Sequence, residues 1–512
     1  MEQRSIDGKG KAVFATKSYS EGDLIFQEAP LLTTSSDTAS TQLASTRENA
    51  PIKLPPQIAE QIKAASPARF QQLRQEKVRG MVMSLASFCG SEPSEELKES
   101  LLSLFHPDDA CTAIPEMEAK KLADIALSAA KTMAKPGSAL SRLLGTEEGS
   151  REALRLMLVY SCNSFEGGRI YDNLSRVNHS CNPNAVVVQG ENEDESLLKA
   201  ACDIRPGDEV CISYLGKYLF ASFPIRQQLL SEYKHFTTSS DERNNGNKDM
   251  AARIPCPIEH PRGRFLDEDV AYEEDLEVTY AIPSNGMAPE ERPLHTPRSK
   301  ELIRVVTEGV TSKKKQGQTI VNMASVESKV FDRLEGGRKP SKDLDEAEID
   351  GQFLQLASSI CGAQHWTTHF MTLDMVEENL AALNETLINL GRDPRKDEES
   401  MEEMFVSIAE AADDIERAYT FAKNLNLKLD PAHWLFDYTL ALARVLVGLG
   451  DAKSQKYASE WVSRVDKYAA QFENEGMQKV VVALRDAWKR DGSDGKRKAE
   501  TKSDENKKLK SG

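Results

Sequence analysis

A short stretch in the first half of the chain concentrates polar side chains that could bind a ligand. Residues 176–185 read Arg-Val-Asn-His-Ser-Cys-Asn-Pro-Asn-Ala, so that three asparagines, one histidine and one cysteine surround a proline. Such groups need hydrogen-bond partners, because burying them unpaired is costly. Asparagine amides carry both donors and acceptors, which suits an adenine edge or a clamp on the backbone. Taken alone, the stretch is more typical of an Asx-rich loop that bonds to its own backbone.

Three other segments give this stretch a context. Asp203–Tyr214 predicts a turn and then a strand that ends in a tyrosine, Cys162–Phe165 lies upstream, and Gly8–Thr16 is a glycine-containing segment that leads into a strand. In their order and spacing, the four segments together resemble the SET-domain protein-lysine methyltransferases. Within that family they are most similar to the branch of SET and MYND-type enzymes. The resemblance covers about 1–32 and 150–236 closely, and the helical regions only loosely.

The resemblance implies an α+β fold whose core is a SET-domain β-clip of small curved sheets. In that fold the polar stretch threads beneath the last strand in a pseudoknot-like crossing. S-adenosylmethionine binds on one side of the crossing, and the substrate lysine enters a narrow channel from the other. We expect this domain to span residues 1–236, interrupted by a helical insert at about 33–160. The spacing of Leu97, Leu101 and Phe105 independently favours a helix within the insert.

A second predicted domain is all-α and follows over residues 351–489. Its apolar side chains step by three and four residues, as in the run Leu373, Val376, Leu380, Leu383, Leu387 and Leu390. Several such helices in series favour a helical-repeat module that is similar to tetratricopeptide arrays. Residues 237–350 are polar and predict a partly ordered insertion or linker, and the basic residues 490–512 predict a disordered tail.

The resemblance also implies roles for individual residues. Tyr214 corresponds to the catalytic tyrosine of the family. Residues from several segments would bind S-adenosylmethionine, namely Gly10, Lys11, Asn163, Asn178, His179 and Tyr233. The aromatic channel for the substrate lysine would be walled by Phe165, Tyr214 and Tyr233. No residue is expected to bind a metal.

The implied reaction is transfer of a methyl group from S-adenosylmethionine to a lysine amine. The methyl sulfonium is already activated, so the step mainly requires alignment of the amine with the methyl group. A free lysine has a pKa of about 10.4 and must lose its proton before it can attack. An aromatic channel beside a cationic cofactor lowers that pKa by desolvation and by charge repulsion. Tyr214 would orient the methyl group and the amine.

Relatives in this branch carry zinc-binding cysteines that this chain lacks. Where they have a MYND module, the chain has only Cys89 and Cys111, which cannot form two zinc sites. The cysteines that follow the second channel aromatic in relatives are also missing. Cys256 and His260 would make only a loosely spaced pair beside Cys181. We therefore expect no zinc.

Two further departures support a second hypothesis. Ala12 stands where relatives have a second glycine, and its methyl group would crowd the cofactor. His235 occupies the place of a channel phenylalanine, and Phe236 lies one position further on, so the channel wall would be remodelled. The alternative to an enzyme is therefore a SET fold that has lost catalysis and acts as an adaptor through its helical module.

Composition limits the partners and the compartment. The 512 residues carry a formal net charge of −16, which disfavours bulk nucleic-acid binding and favours a basic protein substrate with an accessible lysine, such as a histone. The sequence predicts neither a membrane span nor a secretory leader. Eight cysteines without a CxxC pair indicate a reducing compartment, the nucleus or the cytoplasm. The basic clusters Lys496–Lys498 and Lys507–Lys510 are typical either of a nuclear-import signal or of a solvated tail.

Overall fold

The computed structural model describes most of the chain outside one long segment and the C-terminal tail. The described residues are 1–6, 10–44, 53–65, 70–107, 113–190, 195–238, 251, 253–255, 277–279, 327, 329–331, 333–334, 346–361, 365–389, 398–449 and 452–489. The chain divides into two compact units. The first comprises Met1–Leu219 and Pro224–Glu242, and the second comprises Phe220–Phe223 and Arg243–Gly512.

The first unit contains short strands that flank a set of helices. In chain order the strands are β1 (Glu2–Ile6), β2 (Gly10–Phe14), β3 (Leu24–Glu28), β4 (Leu32–Thr33), β5 (Arg169–Ile170), β6 (Asn178–His179), β7 (Ala185–Gln189), β8 (Ser196–Ala200) and β9 (Cys211–Ile212). Strands β1 and β2 form a hairpin, and β3, β8 and β7 form an antiparallel sheet in that order. Strands β4 and β5 pair antiparallel, whereas β6 and β9 pair parallel.

Eight helices accompany these strands in the described part of the first unit. They are α1 (Ser36–Gln42), α2 (Pro56–Ala65), α3 (Gln71–Gly90), α4 (Glu95–Leu102), α5 (Ile114–Met133), α6 (Ala139–Leu144), α7 (Glu147–Asn163) and α8 (Phe223–Lys234). Seven of them lie in sequence between β4 and β5, so the helices interrupt the sheets as the sequence predicts.

Local sequence explains where these helices begin and how they pack. Ser94, Ser138 and Thr146 each accept a hydrogen bond from a first-turn backbone N–H of the helix that follows, as good N-cap residues do. Helix α5 buries alanines on the face that packs against α3 and α7, which lets the three helices approach closely. This packing fixes the C-terminal end of α7, from which the chain enters the functional site.

The described residues of the second unit are helical apart from one pair of short antiparallel strands. Its elements are β10 (Arg253–Pro255), β11 (Glu277–Thr279), α9 (Glu346–Ile360), α10 (Trp366–Asn389), α11 (Glu398–Asn424), α12 (Ala432–Leu449), α13 (Ala452–Phe472) and α14 (475–489). Consecutive helices from α10 to α13 bury a shared apolar core. None of the helices in the described ranges combines the length and apolar character that a membrane span needs.

The α+β architecture expected from the sequence is confirmed, with small sheets, an inserted set of helices and an all-helical C-terminal part. The leucine run from 373 lies in α10, as its period predicts. Similarity of the C-terminal helices to tetratricopeptide repeats stays a prediction, as do the domain boundaries. The expected linker at 237–350 falls largely, and the expected tail at 490–512 entirely, outside the described residues.

Candidate active site

The polar stretch at residues 176–185 lies against β9, which ends at Ile212, two residues before Tyr214 and not at the tyrosine as the sequence predicts. Asn178 pairs with Cys211 and His179 with Ile212 in the parallel β6–β9 ladder. The ladder continues one step further, because the Ser180 backbone N–H donates to the Ile212 carbonyl at 2.9 Å. Segments that are more than thirty residues apart in sequence therefore meet at a fixed register.

Asn184 fastens the far end of the same stretch to β9. Its Nδ2 donates to the Glu209 carbonyl at 2.9 Å, and its Oδ1 accepts the Cys211 backbone N–H at 2.8 Å. The side chain is buried, so both bonds are shielded from water. Asn184 is thus a backbone clamp, one of the two roles that its residue type suggests.

His179 contacts Tyr214 directly and is neutral. Its Nδ1 accepts the Tyr214 backbone N–H at 3.1 Å, and the two ring centroids are 5.4 Å apart. Burial, helped by the nearby Arg226, lowers the pKa of His179 to about 3. With Nδ1 used as an acceptor, the single ring proton lies on Nε2, which faces Cys181 Sγ at 3.3 Å. The imidazole therefore positions Tyr214 and does not supply a charge.

The Tyr214 hydroxyl is held as a protonated phenol. It donates to the Val177 carbonyl at 2.6 Å. Burial, together with the nearby Cys211 and Glu209, raises the pKa of Tyr214 well above its usual range. Its proton is committed to a backbone acceptor, so the oxygen lone pairs are what it can offer to a bound group.

Aromatic rings surround this tyrosine. Phe236 lies 6.1 Å from the His179 ring and 6.2 Å from the Tyr214 ring, measured between centroids. Phe165 lies two residues after the end of α7 and packs edge-on against Tyr171, with the ring centroids 5.4 Å apart. Phe236 therefore lies beside the rings of both His179 and Tyr214, and remodelling of the channel wall around it stays a prediction.

A lysine of the chain reaches these rings. Lys234 ends α8, and its Nζ lies 5.3 Å from the Tyr214 centroid and 5.6 Å from the Phe165 centroid. It donates to the Ser164 carbonyl at 2.8 Å and to the Cys162 carbonyl at 3.4 Å. Burial of the amine lowers the pKa of Lys234 to about 8. Rings and carbonyls together form a site for an ammonium group, which we call the ammonium cage.

Some of the residues expected to bind the cofactor lie in or near the crossing, the name used below for the place where β6 pairs with β9. Asn178 is half-buried, and its Nδ2 donates to Glu209 Oε1 at 2.9 Å. Gly10 has a φ of +75° at the start of β2, and no described atom comes within 4 Å of the place where a Cβ would stand. Strand β2 reaches the crossing through a bridge between Phe14 and Glu209. Lys11 is exposed on the same strand.

Three other predicted residues take positions that sequence alone did not specify. Asn163 is buried, and its Nδ2 donates to the Phe105 and Val159 carbonyls, both at 2.7 Å, so its amide nitrogen is used within the helical layer. Tyr233 is half-buried in the last turn of α8. The side chain of Ala12 is completely buried within β2.

A buried cationic cluster beside the site was missed by sequence reasoning. Lys77 Nζ donates to the Glu232 carbonyl at 2.7 Å and the Tyr233 carbonyl at 3.0 Å, and it lies 2.9 Å from His235 Nε2. Ser161 Oγ contacts the same histidine nitrogen at 2.8 Å. Burial lowers the pKa of Lys77 to about 7. The cluster ties α3 and α7 to the end of α8, and so fixes where Lys234 and Phe236 emerge.

The described residues contain no group of three side chains suited to hold a metal ion. Cys181 is buried beside His179, while Cys256 and His260 lie outside the described ranges. The site therefore consists of a neutral phenol, a neutral imidazole, aromatic faces and backbone carbonyls. These groups can align and desolvate an amine, which suits a transfer reaction whose donor is already activated.

Comparison with known proteins adds two findings. Residues 10–215 match the family model of the SET domain. A segment of 81 residues is 38% identical to the human histone-lysine N-methyltransferase SMYD3, and it covers 14% of this chain and 18% of that enzyme. The match thus spans less than a fifth of the relative's length.

Proposed function

Because residues 10–215 form a SET domain, we propose that this chain is an S-adenosylmethionine-dependent protein-lysine N-methyltransferase. The observation that carries the proposal is the ammonium cage, in which a lysine amine lies on the Tyr214 ring and donates to the Ser164 carbonyl. A site that holds one lysine amine in this way has the chemistry to hold another.

The cage walls favour the amine of a substrate lysine at two stages. Aromatic faces attract an ammonium group by about 0.5–2 kcal/mol, which helps the charged form to enter. Desolvation then favours loss of the proton, as the lowered pKa of Lys234 illustrates. The neutral amine has the lone pair that attack requires. Phe165, Tyr214 and Phe236 would form the walls, and Tyr233 stays a predicted wall residue.

The residues at the crossing fit the proposed cofactor. Gly10 leaves open space beside β2, and the Asn178 amide lies half-buried next to the Glu209 carboxylate. We propose that Asn178 and His179 hold the cofactor, with Gly10, Lys11, Tyr233 and the oxygen of Asn163 as further contacts. When bound, S-adenosylmethionine supplies a methyl group on a positively charged sulfur. The contribution of the protein is to bind it and to exclude water.

Tyr214 is proposed as the catalytic residue. Its proton is held by the Val177 carbonyl, so its oxygen presents lone pairs to the reacting centre. These lone pairs can orient the polarised hydrogens of a methyl group or an amine. Because His179 holds the tyrosine backbone, the phenol needs no rearrangement during the reaction.

The proposed substrate is a basic protein with an accessible lysine, a histone or another. The net charge of −16 favours such a partner over nucleic acid or an anionic membrane surface. The aligned relative is a histone-lysine N-methyltransferase by name. We propose a location in the nucleus or the cytoplasm, and no resident zinc.

The test is methyl transfer from labelled S-adenosylmethionine to core histones and to a cell lysate. The variants are Tyr214→Phe and, as a matched control, Tyr171→Phe, whose buried hydroxyl contacts Ser196 Oγ in the same unit. We expect label with the wild type and the control, and a loss of about 100-fold or more with Tyr214→Phe. Equal labelling by all three proteins would exclude Tyr214 as the catalytic residue.

The adaptor alternative is favoured by one observation, namely that the chain's own Lys234 fills the cage. An adaptor need not bind the cofactor, whereas an enzyme must. Calorimetric titration of S-adenosylmethionine into the wild type and Asn178→Ala separates the two. Binding that is lost in the variant supports the enzyme, and absence of binding to a folded wild type supports the adaptor.

A further inference from the structure

Lys234 has a more enclosed environment than other lysines that lie over rings in the described first unit. Lys17 Nζ lies 5.0 Å from the Tyr19 centroid, and Lys217 Nζ lies 5.4 Å from the Tyr218 centroid, yet both lysines are exposed. The amine of Lys234 instead faces two rings and two carbonyls at once. Its four contacts are those that an incoming lysine amine would use.

The backbone holds Lys234 in this position. His235, the next residue, has a φ of +63°, a left-handed conformation that is uncommon for a residue with a side chain. It is nevertheless buried, and Ser161 and Lys77 contact its ring. The turn after α8 is thus fixed on both sides, and the side chain of Lys234 is directed at the end of α7.

We propose that Lys234 is the resident occupant of the ammonium cage, and that a substrate lysine must displace it to reach Tyr214. This inference rests on the proposed function, because it takes the cage as the place of the substrate amine. Lys234 is then a specificity-determining residue that acts as an internal competitor. It sets how strongly the protein binds any lysine, without touching the transferred methyl group.

Two amines cannot share the cage. The Ser164 carbonyl accepts from Lys234 at 2.8 Å, so a second amine would compete for the same acceptor and the same ring faces. Charge repulsion adds to this, since Lys234 already lies close enough to Lys77 to disfavour the charged form of Lys77, and a second ammonium group in the cage would do the same to Lys234. When a site is open for only a fraction of the time, the apparent dissociation constant rises by the inverse of that fraction.

The groups that face the Lys234 amine make its withdrawal feasible. The rings of Tyr214 and Phe165 and the backbone carbonyls of Cys162 and Ser164 contact it. The Cys162 thiol also acts on the pKa of Lys234, and burial raises the pKa of that thiol to about 12. No carboxylate is hydrogen-bonded to the amine within the described residues. Lys234 is therefore held by neutral acceptors, which a second amine can satisfy equally well.

The experiment measures binding of n-butylammonium, a mimic of the lysine side chain, to the full chain by ligand-observed NMR. Lys234→Gln and Lys234→Met both remove the ammonium group, one with a polar and one with an apolar unbranched side chain, and Lys17→Gln is the control for loss of a lysine over a ring. If Lys234 fills the cage about nine-tenths of the time, both Lys234 variants should bind the probe about tenfold more tightly. Lys17→Gln should bind like the wild type.

A second readout follows Lys234 itself. In a chain with ¹³C-labelled lysine, the Cε resonance that is absent from Lys234→Gln identifies this residue. It should titrate near pH 8. Saturating n-butylammonium should move it to the position of exposed lysines. A resonance that stays in place while the probe binds would overturn the proposal.

The outcomes separate this inference from the proposed function. Tighter probe binding by both Lys234 variants supports the proposal that Lys234 competes for the ammonium cage, even if no methyl transfer is ever detected. Unchanged probe binding by two folded variants overturns it even if methyl transfer is robust.

Discussion

At the scale of single residues, the two ionisable side chains at the centre of the site, a tyrosine and a histidine, are both uncharged. The phenol of Tyr214 keeps its proton, and the imidazole of His179 lacks its second one, in both cases because burial penalises the ion. Neither group can exchange a proton with substrate near pH 7. In the proposed reaction these residues would therefore provide position, and loss of the proton from a substrate lysine would depend on desolvation by the cage.

Asn184 offers a test of positioning at the same scale. Replacing it with alanine removes the acceptor for the Cys211 N–H and the donor to the Glu209 carbonyl, both in a buried place. Each buried backbone group that is left without a hydrogen-bond partner costs about 1–3 kcal/mol. We therefore expect Asn184→Ala to lower the free energy of unfolding by about 2–5 kcal/mol. Urea denaturation followed by circular dichroism measures this loss.

The control is Asn182→Ala, in the same loop but only partly buried, where the loss should be smaller. If the two variants are equally stable, the Asn184 clamp does not hold the crossing together.

The Lys77 amine makes a prediction about pH. Its pKa is about 7 in the folded chain, against about 10.4 for an unfolded lysine. Between these two pH values the unfolded chain binds more protons at Lys77 than the folded chain does, so the free energy of unfolding rises with pH. The contribution of Lys77 to stability is therefore complete above about pH 10.4 and is lost as the pH falls through 7. The free energy of unfolding of the wild type, minus that of Lys77→Met, should therefore rise from pH 6 to pH 9.

This difference isolates Lys77 from its surroundings. Arg74 and Glu232 face it, together with Cys162, Lys234 and His235, and these groups are common to both proteins. Lys131→Met, at an exposed position of α5, controls for loss of a surface charge. A difference that falls or stays level with pH would show that the Lys77 amine is not desolvated.

At the scale of elements, the segment that leads into β6 is held by one carboxylate at the end of β3. Glu28 ends β3 and accepts backbone N–H groups of Asp172, Asn173 and Leu174 at 2.9–3.1 Å. The last of these begins a short 3₁₀ helix, Leu174–Arg176, that leads into β6. Glu28 thus anchors the segment that precedes Asn178 and His179. Its carboxylate accepts backbone N–H groups at the start of a helix, as an acidic N-cap residue does.

We expect Glu28→Ala to destabilise the chain by about 2 kcal/mol, because charge-assisted hydrogen bonds to three donors are lost. Cofactor affinity should fall as well, since β6 loses its support. Thermal unfolding and calorimetric titration measure the two effects. Glu21→Ala, at an exposed turn before β3, should change neither. Weakened affinity without a loss of stability would mean that Glu28 acts on the site and not through β6.

The sequence predicted those helices and strands whose residue pattern is contained in a short stretch of the chain. The leucine run from 373 became part of α10, because it follows a period that a short window contains. Tyr214 and His179 were placed at the site by contiguous motifs. In contrast, β6 and β9 have two residues each, too few for any period to appear.

The cage and its cationic neighbours could not be predicted because their burial is decided by distant partners. Lys77 and Lys234 are polar residues on helices, where a single sequence favours solvent exposure. Lys77 donates to the Glu232 and Tyr233 carbonyls, up to 156 residues away in sequence, and Lys234 donates to the Ser164 carbonyl. Phe236 was predicted to be displaced, but only the three-dimensional arrangement brings its ring to Tyr214 and His179.

At the scale of the whole molecule, the net charge of −16 predicts how the proposed basic substrate would be captured. A long-range field attracts a basic partner before any contact forms, and salt screens it over a Debye length of about 10 Å at 0.1 M and about 3 Å at 1 M. The cage itself binds at short range, where screening matters little. Salt should therefore act on substrate capture and leave the chemical step unchanged.

We expect KM for a basic lysine peptide to rise severalfold between 50 mM and 500 mM salt, while kcat stays constant. A peptide with the same lysine and neutral neighbours is the control, and its KM should hardly change, because it carries little charge for the field to act on. Methyl-transfer assays at a series of salt concentrations provide both values. Equal salt dependence for the two peptides would show that net charge does not select the substrate, and that recognition lies in the cage and its rim. A fall in kcat for both peptides would instead place the effect of salt on the fold, which unfolding measurements at the same salt concentrations would detect.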